Sequence, residues 1–260
     1  MTTRGHAPFG APTWTDLWTS DVPTARRFYS EFFGWEATEP AEEFGGYFTF
    51  TRDGAPIAGA MGDMGDMAAT NSWAVYFATD DVAKTLEIAQ AEGGEVRSQA
   101  MAVGDLGVQG LLTDPNGAGF GVWQPATFQG FSTLEEPGTP SWFELHTRNH
   151  ASALKFYRSV FQWEVSGGSD TDEFRYSVMR GRAGGADIVG IMDSTAFLRD
   201  DEAAHWDVYW HVEDLGDAVA RLRKLGGAVL FGPDSTPYGD LAVVADPMGA
   251  QFKLRVPPRG

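Results

Sequence analysis

The chain contains no cysteine, and only four of its 19 basic residues are lysine. Without thiols there is no disulfide framework, no thiolate nucleophile and no sulfur-ligated metal site. The preference for arginine has the look of genomic base composition and carries no functional message. Positive charge is scarce overall, with a formal net charge of −17. Phosphate binding needs clustered Lys and Arg, so nucleic acid and anionic membrane surfaces are excluded as partners. No window approaches a membrane-spanning length, and the N-terminus lacks the basic-then-apolar pattern of a signal peptide, so a cytoplasmic location is expected. Three local signatures are also missing: a G-x-S-x-G elbow, a G-x-x-x-x-G-K phosphate loop, and a G-x-G-x-x-G opening a helix after a strand.

What is present is apolar material for a core, 43% of residues, together with 32 Gly and 14 Pro. That composition favours a soluble, turn-rich fold with many short strands. The chain also repeats itself. PTWTDLWTSDVPTARRFYSEFFGWE (12–36) recurs as PSWFELHTRNHASALKFYRSVFQWE (140–164), and SWAVYFATDDVAKTLEIAQAEGGEV (72–96) recurs as HWDVYWHVEDLGDAVARLRKLGGAV (205–229). Each copy then reaches a Gly-Asp-Leu turn and a D-P-x-G turn, Asp114-Pro115-Asn116-Gly117 and Asp246-Pro247-Met248-Gly249. This predicts an N-terminal domain over 1–126, a Gly/Pro/Glu-containing linker over 127–139, and a C-terminal domain over 140–260.

Each half divides again. An alternating strand ends in an acidic or polar turn, and a helix of about three turns follows. Val22, Ala25, Phe28, Tyr29, Phe32 and Phe33 share one helical face, as do Ala153, Phe156, Tyr157 and Val160. Short strands such as YFTFT, PIAGAM, RYSVM and DIVGIM come next. The unit is β-α-β-β-β, four times over. The Gly-rich stretch 59–73 reads as the connection between the first two units, expected to be a mobile loop, the alternative being that Met61, Met64 and Met67 fold over the first cup as adaptable apolar contacts.

A β-α-β-β-β unit carrying D-(V/L)-x-x-(A/S)-x-x-F-Y-x-x-x-(F/L)-G-W after its first strand resembles the vicinal oxygen chelate superfamily. That group holds glyoxalases, bleomycin-resistance proteins, extradiol dioxygenases, fosfomycin-resistance enzymes and epimerases. The resemblance covers nearly the whole chain, and it is nearest to tandem two-domain members, some associated with aromatic polyketide pathways. It implies an α+β fold in which four βαβββ modules form two tandem glyoxalase/bleomycin-resistance-like domains, each a curved mixed sheet cupping a ligand with helices outside. Two modules per half already complete a cup, so a monomer would suffice and a homodimer remains open.

Strand alternation tells which side chains enter each cup. Thr15/Leu17, Val75/Phe77, Phe143/Leu145 and Val208/Trp210 are apolar enough to pack on helices. The inward faces are then Trp14/Asp16/Trp18 and Ala74/Tyr76/Ala78 in the first half. In the second they are Trp142/Glu144/His146 and Asp207/Tyr209/His211. Metal-dependent members of the superfamily place ligands at a fixed spot on each module's first strand and a Glu on the last strand. Those spots fall here on Trp14, Ala74, Trp142 and Asp207, and on Gly121 and Lys253. Indole, methyl and glycine cannot coordinate, and an ammonium repels a cation. No cofactor is therefore expected. The alternative is one divalent metal in the C-terminal half on a displaced set of His146, His211, Glu144 and Asp207.

Trp14, Trp18 and Tyr76 around Asp16 suit a planar aromatic or conjugated ligand. Trp142, Tyr209, Asp207, His211 and Lys253 line a more polar version. Glu144 beside His146, with Tyr209 as a donor, is the best acid–base constellation. The leading expectation is a metal-free binding protein for an aromatic or polyketide-like compound. The alternative is a glyoxalase- or hydroxylase-like enzyme using acid–base chemistry or the displaced metal.

Overall fold

The computed structural model describes residues 5–62, 71–171, 173–182 and 184–258. Met64 and Met67 lie outside the described residues; Met61 is buried in a strand. The first half contains β1 (Pro12–Thr19), α1 (Val22–Phe33), β2 (Glu36–Ala37), β3 (Phe48–Arg52), β4 (Ala55–Gly62), β5 (Ser72–Ala78), α2 (Val82–Ala91), β6 (Glu95–Val103), β7 (Gly107–Thr113) and β8 (Gly119–Pro125). The second half repeats the order with β9 (Pro140–Thr147), α3 (His150–Phe161), β10 (Glu164–Asp170), β11 (Arg175–Arg180), β12 (Asp187–Asp193), β13 (His205–His211), α4 (Leu215–Lys224), β14 (Ala228–Thr236), β15 (Gly239–Ala245) and β16 (Gln251–Val256). Each half builds one eight-stranded mixed sheet, β2-β3-β4-β1-β5-β8-β7-β6 and β10-β11-β12-β9-β13-β16-β15-β14. The predicted α+β repeat is the architecture found.

The polar turn after each opening strand is what starts each helix. Asp21, Asp81, Asn149 and Asp214 are the N-caps, and their side chains accept from the backbone N–H of Thr24, Lys84, Ser152 and Asp217. This satisfies a donor that the first turn cannot satisfy internally. The first helix stops at Gly34, whose φ of 74° is left-handed, a conformation that costs glycine nothing.

The helices are outside each cup, each burying one face and leaving the other to solvent, and the two sheets meet through their helix-bearing faces. Phe77 of β5 stands edge-on to Trp206 of β13 at 4.9 Å, and Trp73 lies 5.3 Å from Trp210. The contact is reciprocal. Tyr29 on α1 donates to Asp246 of the second half (3.1 Å), and Tyr157 on α3 donates to Asp114 of the first (3.3 Å). Trp35 Nε1 donates to the carbonyl of Gly138 and Trp163 Nε1 to that of Gly10, at 2.9 and 3.0 Å. Each D-P-x-G aspartate also accepts the backbone N–H groups of its own turn, from Asn116 and Ala118 or from Met248 and Ala250. The turn motif seen in the sequence is thus half of a bond to the opposite domain. With rings such as Tyr29, Tyr157, Phe77, Trp163 and Trp210 at 0–2% exposure, the joint is a continuous aromatic core.

Candidate functional site

Register brings the inward residues of the second half onto three central strands. Glu144 and Asp207 are direct cross-strand partners on β9 and β13, Trp142 faces Tyr209, and Tyr209 neighbours Lys253 on the parallel strand β16. Glu144, His146, Asp207, Tyr209 and Lys253 are each no more than 8% exposed. Lys253 Nζ lies 3.1 Å from Asp207 Oδ2, 3.4 Å from Glu144 Oε1 and 2.9 Å from Tyr209 Oη, and it also contacts His146 Nε2. Tyr209 donates to Glu144 at 2.5 Å, and His146 Nε2 lies 3.0 Å from the same oxygen.

Buried charge is tolerated only when paired, and here the pairing is complete enough to reverse the effect of burial. Burial alone would raise the Glu144 carboxyl, but Lys253, His146 and Tyr209 together bring it down to about 2. Asp207 is pulled the same way against its own burial, by Lys253 and then His205. Burial and the neighbouring Glu144 charge push the Tyr209 and Tyr176 hydroxyls up, so both remain hydrogen-bond donors.

Three members of this site escape the sequence reading. Ser194, fully buried just after β12, sits 2.7 Å from His146 Nδ1 and fixes the ring. His205 stacks on His146 with centroids 5.4 Å apart, and its Nε2 is 3.7 Å from Asp207. Burial lowers His205, but the Asp207 carboxylate overcomes this and raises it. Tyr176 accepts from Trp142 Nε1 at 3.0 Å and faces Glu144. Its ring is stacked on Phe174 at 5.8 Å and lies 6.0 Å from Tyr238, which is 49% exposed. Phe174, Tyr176 and Tyr238 form an aromatic shelf leading inward to the polar cluster. A separate concavity of about 710 Å³ lies beside the α3 N-terminus and shares only Tyr176 with this site.

His211 is a correction. The sequence groups it with His146, Glu144 and Asp207 as the displaced metal set, but its Nδ1 is bound to the Glu135 carbonyl of the linker at 3.0 Å. Parity places it on the inward face; its position at the end of β13 puts it against the linker, outside the cluster. The remaining donors do not suit a divalent ion as they stand. Zn–O and Zn–N distances are about 2.0–2.2 Å, whereas Asp207 and Glu144 stand 3.1 and 3.4 Å from an ammonium already between them. Among the described residues no group of three or more His, Asp or Glu is spaced to hold a metal.

The first cup is built on the same plan and filled differently. Asp16 Oδ1 accepts from Trp14 Nε1 at 2.9 Å and from Tyr47 at 2.8 Å, with Tyr76 as a further donor. No cation is among these partners, and burial lifts the Asp16 carboxyl to about 6. Trp14 does not offer a free ring face as expected, because Phe128 and Phe131 pack on it at 4.8 and 5.4 Å. Trp18 is half-buried at the strand end, opposite Ser72 and Met61. Where the second half has Lys253, the first has Gly121, and a Cβ there would sit 2.1 Å from the Tyr76 ring. Gly59 leaves the space that Tyr47 uses: a Cβ would fall 1.8 Å from its hydroxyl and 2.2 Å from Asp16. Gly59→Ala should therefore cost about 1–3 kcal/mol by overpacking, read by chemical denaturation.

The architecture and the paired cups define a tandem member of one superfamily. Residues 11–122 match the Glyoxalase/Bleomycin resistance protein/Dioxygenase superfamily, and residues 142–255 match the Glyoxalase-like domain. The chain belongs to that superfamily. It is 32% identical over 267 residues to CFP32 of Mycobacterium bovis, whose name puts it among the glyoxylases; the match spans 99% of this chain and 98% of that one. It is 33% identical over 268 residues to the anthracycline biosynthesis protein DauV of Streptomyces sp. strain C5, spanning 94% and 92%. The Mn(II)-bound glyoxalase from Novosphingobium aromaticivorans shares the fold at a TM-score of 0.64 and 18% identity, over 95% of this chain and 82% of that one. No helix among the described residues is long and apolar enough to cross a membrane.

Proposed function

We propose that the C-terminal cup is the working site and that it binds a planar aromatic, polyketide-like small molecule without a resident divalent metal. The observation that carries this is Lys253, whose ammonium already satisfies the carboxylates of Glu144 and Asp207 and touches His146. The shelf of Phe174, Tyr176 and Tyr238 supports a flat ligand by stacking. Kinship with a protein named for anthracycline biosynthesis points to fused-ring aromatic compounds. Trp14 and its surroundings support a structural role for the first cup.

A second reading, an acid–base enzyme, is favoured by the density of ionisable groups on the floor of the cup. Perturbed groups clustered in one site are a mark of catalysis. In that reading Glu144 and His146 exchange a proton with the ligand, Ser194 holds the His146 ring, and the Tyr209 hydroxyl turns from Glu144 to donate to a developing oxyanion.

The test is elemental analysis of untagged protein, followed by titration with an anthraquinone while tryptophan emission is read. Substoichiometric metal and saturable quenching that weakens in Tyr238→Ala and Trp142→Phe are expected. Near-stoichiometric zinc, iron or manganese, or an absence of quenching, overturns the proposal.

A further inference from the structure

We infer that the Glu144–His146–Asp207 constellation is a cation site closed by the protein's own lysine, so that Lys253 occupies the place of a divalent ion. The inference rests on the metal-free part of the functional reading. Its argument is convergence. Carboxylate oxygens from β9 and β13 and an imidazole nitrogen from β9 all point at one atom, Lys253 Nζ, which arrives from β16. A buried ammonium needs about this much compensation, and it would be costly to leave any of the donors without it.

The first cup supplies an internal control. At the position of Lys253 it has Gly121, at the position of Asp207 it has Ala74, and at the position of His146 it has Trp18. Losing the lysine there coincides with losing two of the three donors, and the remaining carboxylate, Asp16, is held by neutral hydroxyl and indole donors alone. Cation and donor set are present together in one cup and absent together in the other. Three donors around a central point, two of them carboxylates and one an imidazole, are hard-to-borderline ligands suited to manganese or zinc once the centre is vacated. The two carboxylate distances are ammonium-sized now, and closing them to metal length needs an inward shift of about 1 Å.

The test is a gain of binding. Wild-type protein, Lys253→Glu and Lys253→Gln are titrated with MnCl2, free manganese being read by electron paramagnetic resonance and melting temperature by circular dichroism. Wild type is expected to leave the manganese signal unchanged. Lys253→Glu is expected to bind one equivalent and to melt higher with manganese than without it. Lys253→Gln serves the same purpose with a neutral side chain. Adding His146→Ala to either variant should weaken binding roughly ten- to a hundredfold. Manganese uptake by wild type at this site would overturn the metal-free reading itself. A silent wild type with variants that stay folded and gain no manganese would overturn only the inference.

Discussion

Lys253→Met will lower stability at neutral pH by about 3–5 kcal/mol, the usual cost of removing one partner from a buried ion pair. The methionine replaces the aliphatic stem, so the loss comes from Glu144 and Asp207, left buried without their cation. The pH dependence of stability will change sign. In the wild type the Glu144 carboxyl is held at about 2, below its ordinary 4.5. A lowered carboxyl contributes stability that is present above the unfolded value and is lost as pH falls from about 4.5 towards 2. In the variant, burial without Lys253 raises both carboxyls, so stability will increase as pH falls from 7 towards 4. Urea denaturation at pH 7, 5.5 and 4 reads both effects. A variant that follows the wild-type pH trend would show that Lys253 does not carry these carboxylates.

Asp16→Asn will do the opposite and stabilise the chain at neutral pH by up to about 3 kcal/mol, taking 1.36 kcal/mol per unit. Asp16 is raised from 3.8 to about 6 by burial. A raised carboxyl leaves the folded state most favoured below pH 3.8 and penalised progressively as pH rises through 6. The amide oxygen can still accept from Trp14 and Tyr47, so the substitution removes the charge and keeps these bonds. The gain should be absent near pH 3.5 and complete by pH 7. Equal stabilities of the two proteins at pH 7.5 would refute the account. Opposite responses of the two cups would separate a site with its counter-charge built in from one packed with its own rings.

The repeat made the fold legible, because two copies of strand, polar cap and aromatic helix face cannot be read as anything but duplicated units. Strand parity then placed Glu144, Asp207 and Tyr209 correctly on the inward faces. It could not say how far along a strand the cup extends, and so it included His211, which the linker carbonyl of Glu135 takes. Lys253 was legible as a residue at the family's last-strand position, but only register shows its ammonium lying among the carboxylates rather than turned to water. Tyr47 and Tyr176 were visible at the start of matching segments. Their role depends on Gly59 and Gly190 making room on the adjoining strand, which pattern alone does not reveal. His205 shares the face of Asp207 and was within reach of the same parity argument. Ser194 carried no signal beyond its neighbours.

The paired bonds from Tyr29 to Asp246 and from Tyr157 to Asp114 make the two halves hostages of each other. An alteration to a turn in one copy loosens a helix in the other. Each cup therefore stands as a buttress for the other. The two halves differ inside the cups, where glycine stands at 121 and lysine at 253, while the shared seam stays twofold.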